Sequence, residues 1–154
     1  MVEIQVLKQL DFFKIFNEEE LKIFAQRLIM EEYKDGEYIF NENQIGDYSM
    51  FIIINGVVKV VKKKKIEEKV IANLKEGEFF GEMAMLIPAP RSASVIAIKP
   101  TKVLRFSDMD YNSFKKDYPA IVVKLNEIFI KVLIVRLRDA DKKLVKEGSG
   151  LGIL

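Results

Sequence analysis

The chain has 154 residues, 49% of them hydrophobic and 31% charged, enough to bury one sizeable core but not to build a second full domain. Cys and His are both absent, which removes disulfides, thiolate and imidazole metal ligands, and the usual nucleophile and general base together. A net charge of +2 is too small to argue for nucleic acid as a partner.

No charged-then-apolar leader opens the chain and no apolar run approaches membrane length, so the expected location is cytoplasmic, away from membranes. Asn17 with Glu20 reads as a capping pair for a helix from Glu18 to about Met30, whose Leu21, Phe24, Ala25 and Leu28 form one apolar face. A strand-rich middle follows. Gly36, Gly46, Gly56 and Gly77 punctuate runs over Glu37 to Phe40, Tyr48 to Ile54, Val57 to Lys63 and Val70 to Leu74, and Ser94 to Ile98 and Lys102 to Phe106 continue the series. Many short strands with glycine turns predict a sandwich or a small barrel. Lys62 to Lys65, followed by Glu67 and Glu68, offers charge for a phosphate or a membrane, but its place between two strands makes it a solvated hairpin tip. Ser107 with Asp110 caps a short helix, Pro119 ends it, and a final helix runs from Pro119 to Lys146.

Between the last two groups of strands lies the most informative stretch, FGEMAMLIPAPRSASVIA from Phe80 to Ala97. Gly81 lets the backbone approach a ligand closely, and Glu82 to Leu86 reads as a short helical turn whose first N–H groups lack intrahelical partners. Arg91 supplies a full positive charge on a planar fork that suits phosphate oxygens, while Ala84 and Ala93 are too small to keep a phosphate off the neighbouring amides. Glu82 is a poor phosphate neighbour and a good acceptor for a sugar hydroxyl. Together these residues describe a nucleotide with a free 2′-hydroxyl and one phosphate charge.

On Phe80, Gly81, Glu82, Ala84, Met85, Arg91, Ser92, Ala93 and Val95, the chain resembles the cyclic-nucleotide-binding domain family of protein kinase A regulatory subunits, catabolite activators and cyclic-nucleotide-gated channels. A second signature runs from Ile39 through Glu42, Gly46 and Asp47 into Met50 to Ile54 and Gly56. Asn43 stands where the family usually has glycine, a swap that a left-handed turn residue tolerates. The resemblance covers about residues 7 to 146 and implies a mainly β fold, a jelly-roll barrel with an N-terminal helix and a long C-terminal dimerisation helix. It makes residues 1–154 a single domain, with the barrel at about 31–107, the C-terminal helices at about 108–146 and a flexible tail at 147–154.

The implied ligand site comprises Phe80, Gly81, Glu82, Met83, Ala84, Arg91, Ser92 and Ala93 for ribose and phosphate, with Val60, Ile71 and Ala72 against the base. The side chains of Met83 and Met85 read as core filler. Asp47 has no second acid nearby to share a metal, and the resemblance has it orient Arg91; no metal is expected. Ser92 does not decide between adenine and guanine.

The last helix is apolar on more than one side. Val122, Leu125, Phe129 and Val132 lie along one side, while Val123, Ile130, Leu133, Leu137, Ala140 and Leu144 make a near-heptad seam along another. One side packs on the barrel and the other needs a partner, for which the resemblance implies a homodimer axis and a lid at Arg136 to Ala140 above the base. After Leu144 only ten residues remain, too few for a helix-turn-helix reader, so no direct DNA binding is expected. The expected function is therefore a non-enzymatic sensor of a cyclic nucleotide, cyclic AMP rather than cyclic GMP, that signals through an effector protein or an output domain beyond this chain. The alternative is an interaction domain of the same fold that binds no nucleotide.

Overall fold

Neighbouring residues of β3 (Met50–Asn55) face two different cores. Met50 and Ile52 pack with the helices, whereas Phe51 and Ile53 point between two sheets, the two-residue period of a strand buried on both faces. In this computed structural model, which describes residues 1–148, β3 lies in a four-stranded antiparallel sheet. Its order is β1 (Ile29–Tyr33), β8 (Thr101–Phe106), β3 and β6 (Phe79–Phe80). A second antiparallel sheet is ordered β2 (Tyr38–Phe40), β7 (Ser94–Ala97), β4 (Val57–Lys64) and β5 (Glu67–Lys75). Phe40, Phe51, Val58, Leu74, Phe80 and Val95 meet between the sheets and close them as the expected jelly-roll barrel.

The N-terminal helix departs from expectation at its end. α2 (Glu18–Arg27) carries the expected reciprocal cap, with Asn17 and Glu20 each bonding the other's backbone N–H at 2.9 Å. It stops before Met30 because Ile29 to Tyr33 pair with β8, where Glu31 and Glu32 meet Arg105 and Lys102. Pairing at a sheet edge overrides a helical apolar period that continues through Leu28. The short α1 (Ile4–Lys8), the 3-10 turn Asp11–Phe13 and the two-residue β6 add to the expected elements. The hairpin tip narrows to Lys65 and Ile66, since Lys63 opposes Glu68 and Lys64 opposes Glu67 across the strands.

α4 (Asp108–Asp117) is capped by Ser107, which accepts from Asp110 N at 3.0 Å. α5 (Pro119–Lys146) has the expected bounds. Its first turns bury Ile121, Val122, Leu125 and Phe129, and the Phe129 ring lies 5.6 Å from that of Phe79 on β6, one residue before the expected ligand stretch begins. Of the tail expected at 147–154, residues 149–154 lie outside the described residues. Among the described residues no helix is long and apolar enough to cross a membrane.

Candidate functional site

Gly81 sits at φ 86°, a left-handed conformation that L side chains rarely adopt, and caps α3 (Glu82–Leu86). A Cβ there would stand 2.8 Å from the Ser49 carbonyl oxygen and 3.1 Å from Arg91 Nη1, so the position requires glycine. Arg91 is only 3% exposed. Its Nη2 donates to the Ser49 carbonyl at 2.7 Å, its Nη1 donates to the Gly81 carbonyl at 3.1 Å, and its guanidinium lies 4.1 Å from the centre of the Phe40 ring. Its backbone is held as firmly, accepting from Asn43 N at 2.7 Å and donating to the Gln44 carbonyl at 3.0 Å. Asn43 takes φ 68°, the left-handed turn that the sequence departure called for.

Arg91 Nε is the buried side-chain polar atom without a hydrogen-bond partner among the described residues. An unsatisfied buried donor is costly, and this one is a donor from which an anion can accept. Burial pushes the Arg91 guanidinium below its ordinary range. Burial also pushes the Glu82 carboxyl up, against a backbone hydrogen bond and the opposing pull of Arg136. That carboxylate is 2% exposed and accepts from Arg136 Nη1 at 2.9 Å, while Arg136 Nη2 donates to the Phe79 carbonyl at 2.7 Å.

A cavity of about 610 Å³ gathers the expected ligand residues onto one wall-to-wall lining, within the size range of small-molecule sites. Phe80, Gly81, Glu82, Met83, Ala84, Arg91, Ser92 and Ala93 line it from the α3 side, Val60, Ile71 and Ala72 from β4 and β5, and Arg136 from α5. Sequence reasoning missed Phe40, Leu86, Ile87, Pro90 and Leu133 on the same lining. Ile87 and Pro90 lie inside the motif's five-residue gap and were within reach; Phe40 arrives only through sheet pairing with β7.

Two residues need correction. Met83 is 61% exposed at the rim of the cavity and is not core filler, whereas Met85 is buried as expected. Asp47 does not pair with Arg91. Its Oδ2 meets Arg105 Nη2 at 3.1 Å and its Oδ1 accepts from the Ser49 backbone N at 3.1 Å and from Ser49 Oγ at 2.7 Å. Burial acts to raise its carboxyl, but these hydrogen bonds and the charges of Arg105 and Arg91 outweigh burial and hold it below the ordinary range. Asp47 thus reaches Arg91 through Ser49, whose carbonyl accepts from the guanidinium.

Residues 30–118 match the family model described as Cyclic nucleotide-binding domain. The chain is 30% identical over 125 residues to the cyclic AMP receptor protein of Thermus thermophilus, covering 80% of this chain and 54% of that protein. It is 32% identical over 97 residues to a cGMP-dependent protein kinase of Eimeria tenella, 63% of this chain and 9% of the kinase. The chain therefore spans about half the length of the first relative and a small part of the second. In structure it is similar to a cyclic nucleotide-binding domain from Methylobacillus flagellatus, with TM-score 0.82, 23% identity, and coverage of 96% of this chain and 83% of that one, a likeness of fold.

Proposed function

The chain belongs to the cyclic nucleotide-binding domain family, and we propose that it is a cyclic AMP sensor whose ligand-induced change is carried by α5 to an effector. The observation that carries this reading is Arg91, a buried cation on the cavity wall with an unused donor, beside a glycine whose Cβ would close the gap. A cyclic phosphate fits that place, with Arg91 for charge and the α3 amides beside Ala84 and Ala93. Glu82 accepts the ribose 2′-hydroxyl, sharing or releasing Arg136 as it does so, and Val60, Ile71 and Ala72 receive the base. Arg136 couples the pocket to α5, because it is bonded both to Glu82 and to the backbone of β6.

Cyclic AMP rather than cyclic GMP rests on the α5 arrangement above the cavity and on the Thermus relative; the Eimeria relative is the counterweight. The exposed seam of Ile130, Leu137 and Leu144 supports a parallel homodimer through α5, since a stripe of that kind is unfavourable in water. In this reading the protein works in the cytoplasm, catalyses nothing, and contacts neither DNA nor membrane through this domain.

The competing reading, an interaction domain that binds no nucleotide, draws on Glu82 being already paired with Arg136. The unsatisfied Arg91 Nε weighs against it. Calorimetric titration with cyclic AMP, cyclic GMP and a cyclic dinucleotide tests both. Saturable binding tightest for cyclic AMP is expected; no binding of any of the three overturns the sensor reading, and preference for cyclic GMP overturns the choice of base.

A further inference from the structure

Arg105 lies on β8, opposite Phe51 of β3, and does not line the cavity, yet two of its guanidinium nitrogens are spent on the segment that holds Arg91. Its Nε donates to Ser49 Oγ at 3.1 Å, and its Nη2 meets Asp47 Oδ2 at 3.1 Å. Its Nη1 stands 3.5 Å from Glu31, a carboxylate held in turn by the Tyr33 hydroxyl at 3.0 Å. Ser49 Oγ has one proton and gives it to Asp47 Oδ1, so its remaining capacity is to accept, and Arg105 is the donor it accepts from. Asp47 closes the ring by accepting from the Ser49 backbone N.

We infer that Arg105 is a positioning residue for nucleotide binding: through Ser49 and Asp47 it fixes the peptide whose carbonyl aims the Arg91 guanidinium at the phosphate. The inference rests on the sensor reading above. Ser49 is fully buried, and its carbonyl is wedged against Gly81, where even a Cβ would come within 2.8 Å. The carbonyl therefore has no freedom on the α3 side, and the clamp of Arg105 and Asp47 removes it on the other. Without Arg105, the half-buried Asp47 carboxylate has lost its direct cation, and Arg91 is the nearby charge it then draws upon. That pull takes the guanidinium away from the Ser49 carbonyl and from the orientation the phosphate needs. A forked guanidinium serves Ser49, Asp47 and Glu31 at once; a lysine ammonium in its place keeps the charge but not the fork.

The test is binding of cyclic AMP, and of cyclic GMP in parallel, to the parent, Arg105→Met, Arg105→Lys, Ser49→Ala, and Arg105→Met combined with Arg91→Lys. Arg105→Met weakens binding about tenfold and Arg105→Lys about threefold, in line with the coupling expected between groups of one hydrogen-bonded network. In the Arg91→Lys background, Arg105→Met adds less than about twofold, because the group it positions has gone. A general loss of packing would instead lower affinity equally in both backgrounds, and that result overturns the inference. Ser49→Ala removes the hydroxyl while keeping the carbonyl; should Arg105→Met fail to melt cooperatively, a loss of about threefold in Ser49→Ala supports the clamp and unchanged affinity overturns it. A parent that binds neither nucleotide overturns the sensor reading and this inference together. A parent that binds while Arg105→Met binds as tightly overturns this inference alone.

Discussion

The two halves of α5 are one continuous helix in opposite surroundings. Its first turns are part of the larger core: Leu125 and Phe129 are buried among phenylalanines from β6 and the N-terminal segment, and Phe129 is only 1% exposed. From Ile130 onward most apolar side chains face out, with Ile130 at 56% and Leu137 at 52%. What joins this outer half to the ligand cavity is Leu133 on the lining and Arg136 on Glu82. Apolar burial fixes the inner half regardless of ligand, whereas an ion pair with a carboxylate on the cavity lining is the kind of contact a ligand can rearrange. In the proposed sensor, one helix provides both an anchor and a readout, divided near residue 130.

Single substitutions in the two halves of α5 are expected to have different consequences. Phe129→Ala removes a ring from a close-packed core and is expected to cost about 3 to 5 kcal/mol, read as a lower denaturant midpoint. Leu137→Glu, on the outer half, is expected to leave a folded monomer that loses only the stabilisation association gave the parent, with no cavity left in the core. Its effect is on assembly, with the parent sedimenting as a dimer and the variant as a monomer. A parent that sediments as a monomer at micromolar concentration, with and without nucleotide, removes the seam from the account.

Within the cavity, the expected losses follow the charges. Arg91→Ala weakens cyclic AMP binding by on the order of 100-fold or more, since it removes a charge-assisted hydrogen bond at a buried site. Arg91→Lys recovers part of that loss. Glu82→Gln costs less, because an amide oxygen still accepts from the 2′-hydroxyl, and a 2′-deoxy nucleotide largely fails to distinguish Glu82→Gln from the parent. Parent-like calorimetric affinity in Arg91→Ala would place the ligand elsewhere.

The smallest effect is on acid stability. The folded-state carboxyl of Asp47 is held low, so its contribution is complete above the ordinary carboxylate range and lost as pH falls through the folded value. Asp47→Asn should therefore flatten the acid limb of a stability-against-pH curve and leave its slope near neutrality unchanged. A limb of undiminished steepness in Asp47→Asn would assign that pH dependence to other groups.

Local patterns made much of this legible in the sequence. The Asn17–Glu20 cap, the Ser107 cap and the Pro119 start of α5 each depend on residues within one turn, and all three stand. The stretch from Phe80 to Ala93 is contiguous, so its glycine, acid and arginine were readable as a unit and converge on one cavity. What escaped depends on distant pairing. Ile29 to Tyr33 become a strand because β8 offers an edge whose Lys102 and Arg105 pair with Glu32 and Glu31. Asp47 chooses Arg105 over Arg91 for a similar reason: β8 brings that guanidinium alongside Ser49, a juxtaposition that no spacing within residues 42–54 encodes.

The division of α5 and the use of the cavity are tested together by hydrogen exchange with and without cyclic AMP. Nucleotide that orders the outer half should add protection across residues 130–145, alongside protection of residues 79–95 around the phosphate, while the already buried turn at Leu125 and Phe129 changes little. Protection confined to residues 79–95, with the outer half exchanging as fast as before, would contradict the role of α5 as the element that reports binding.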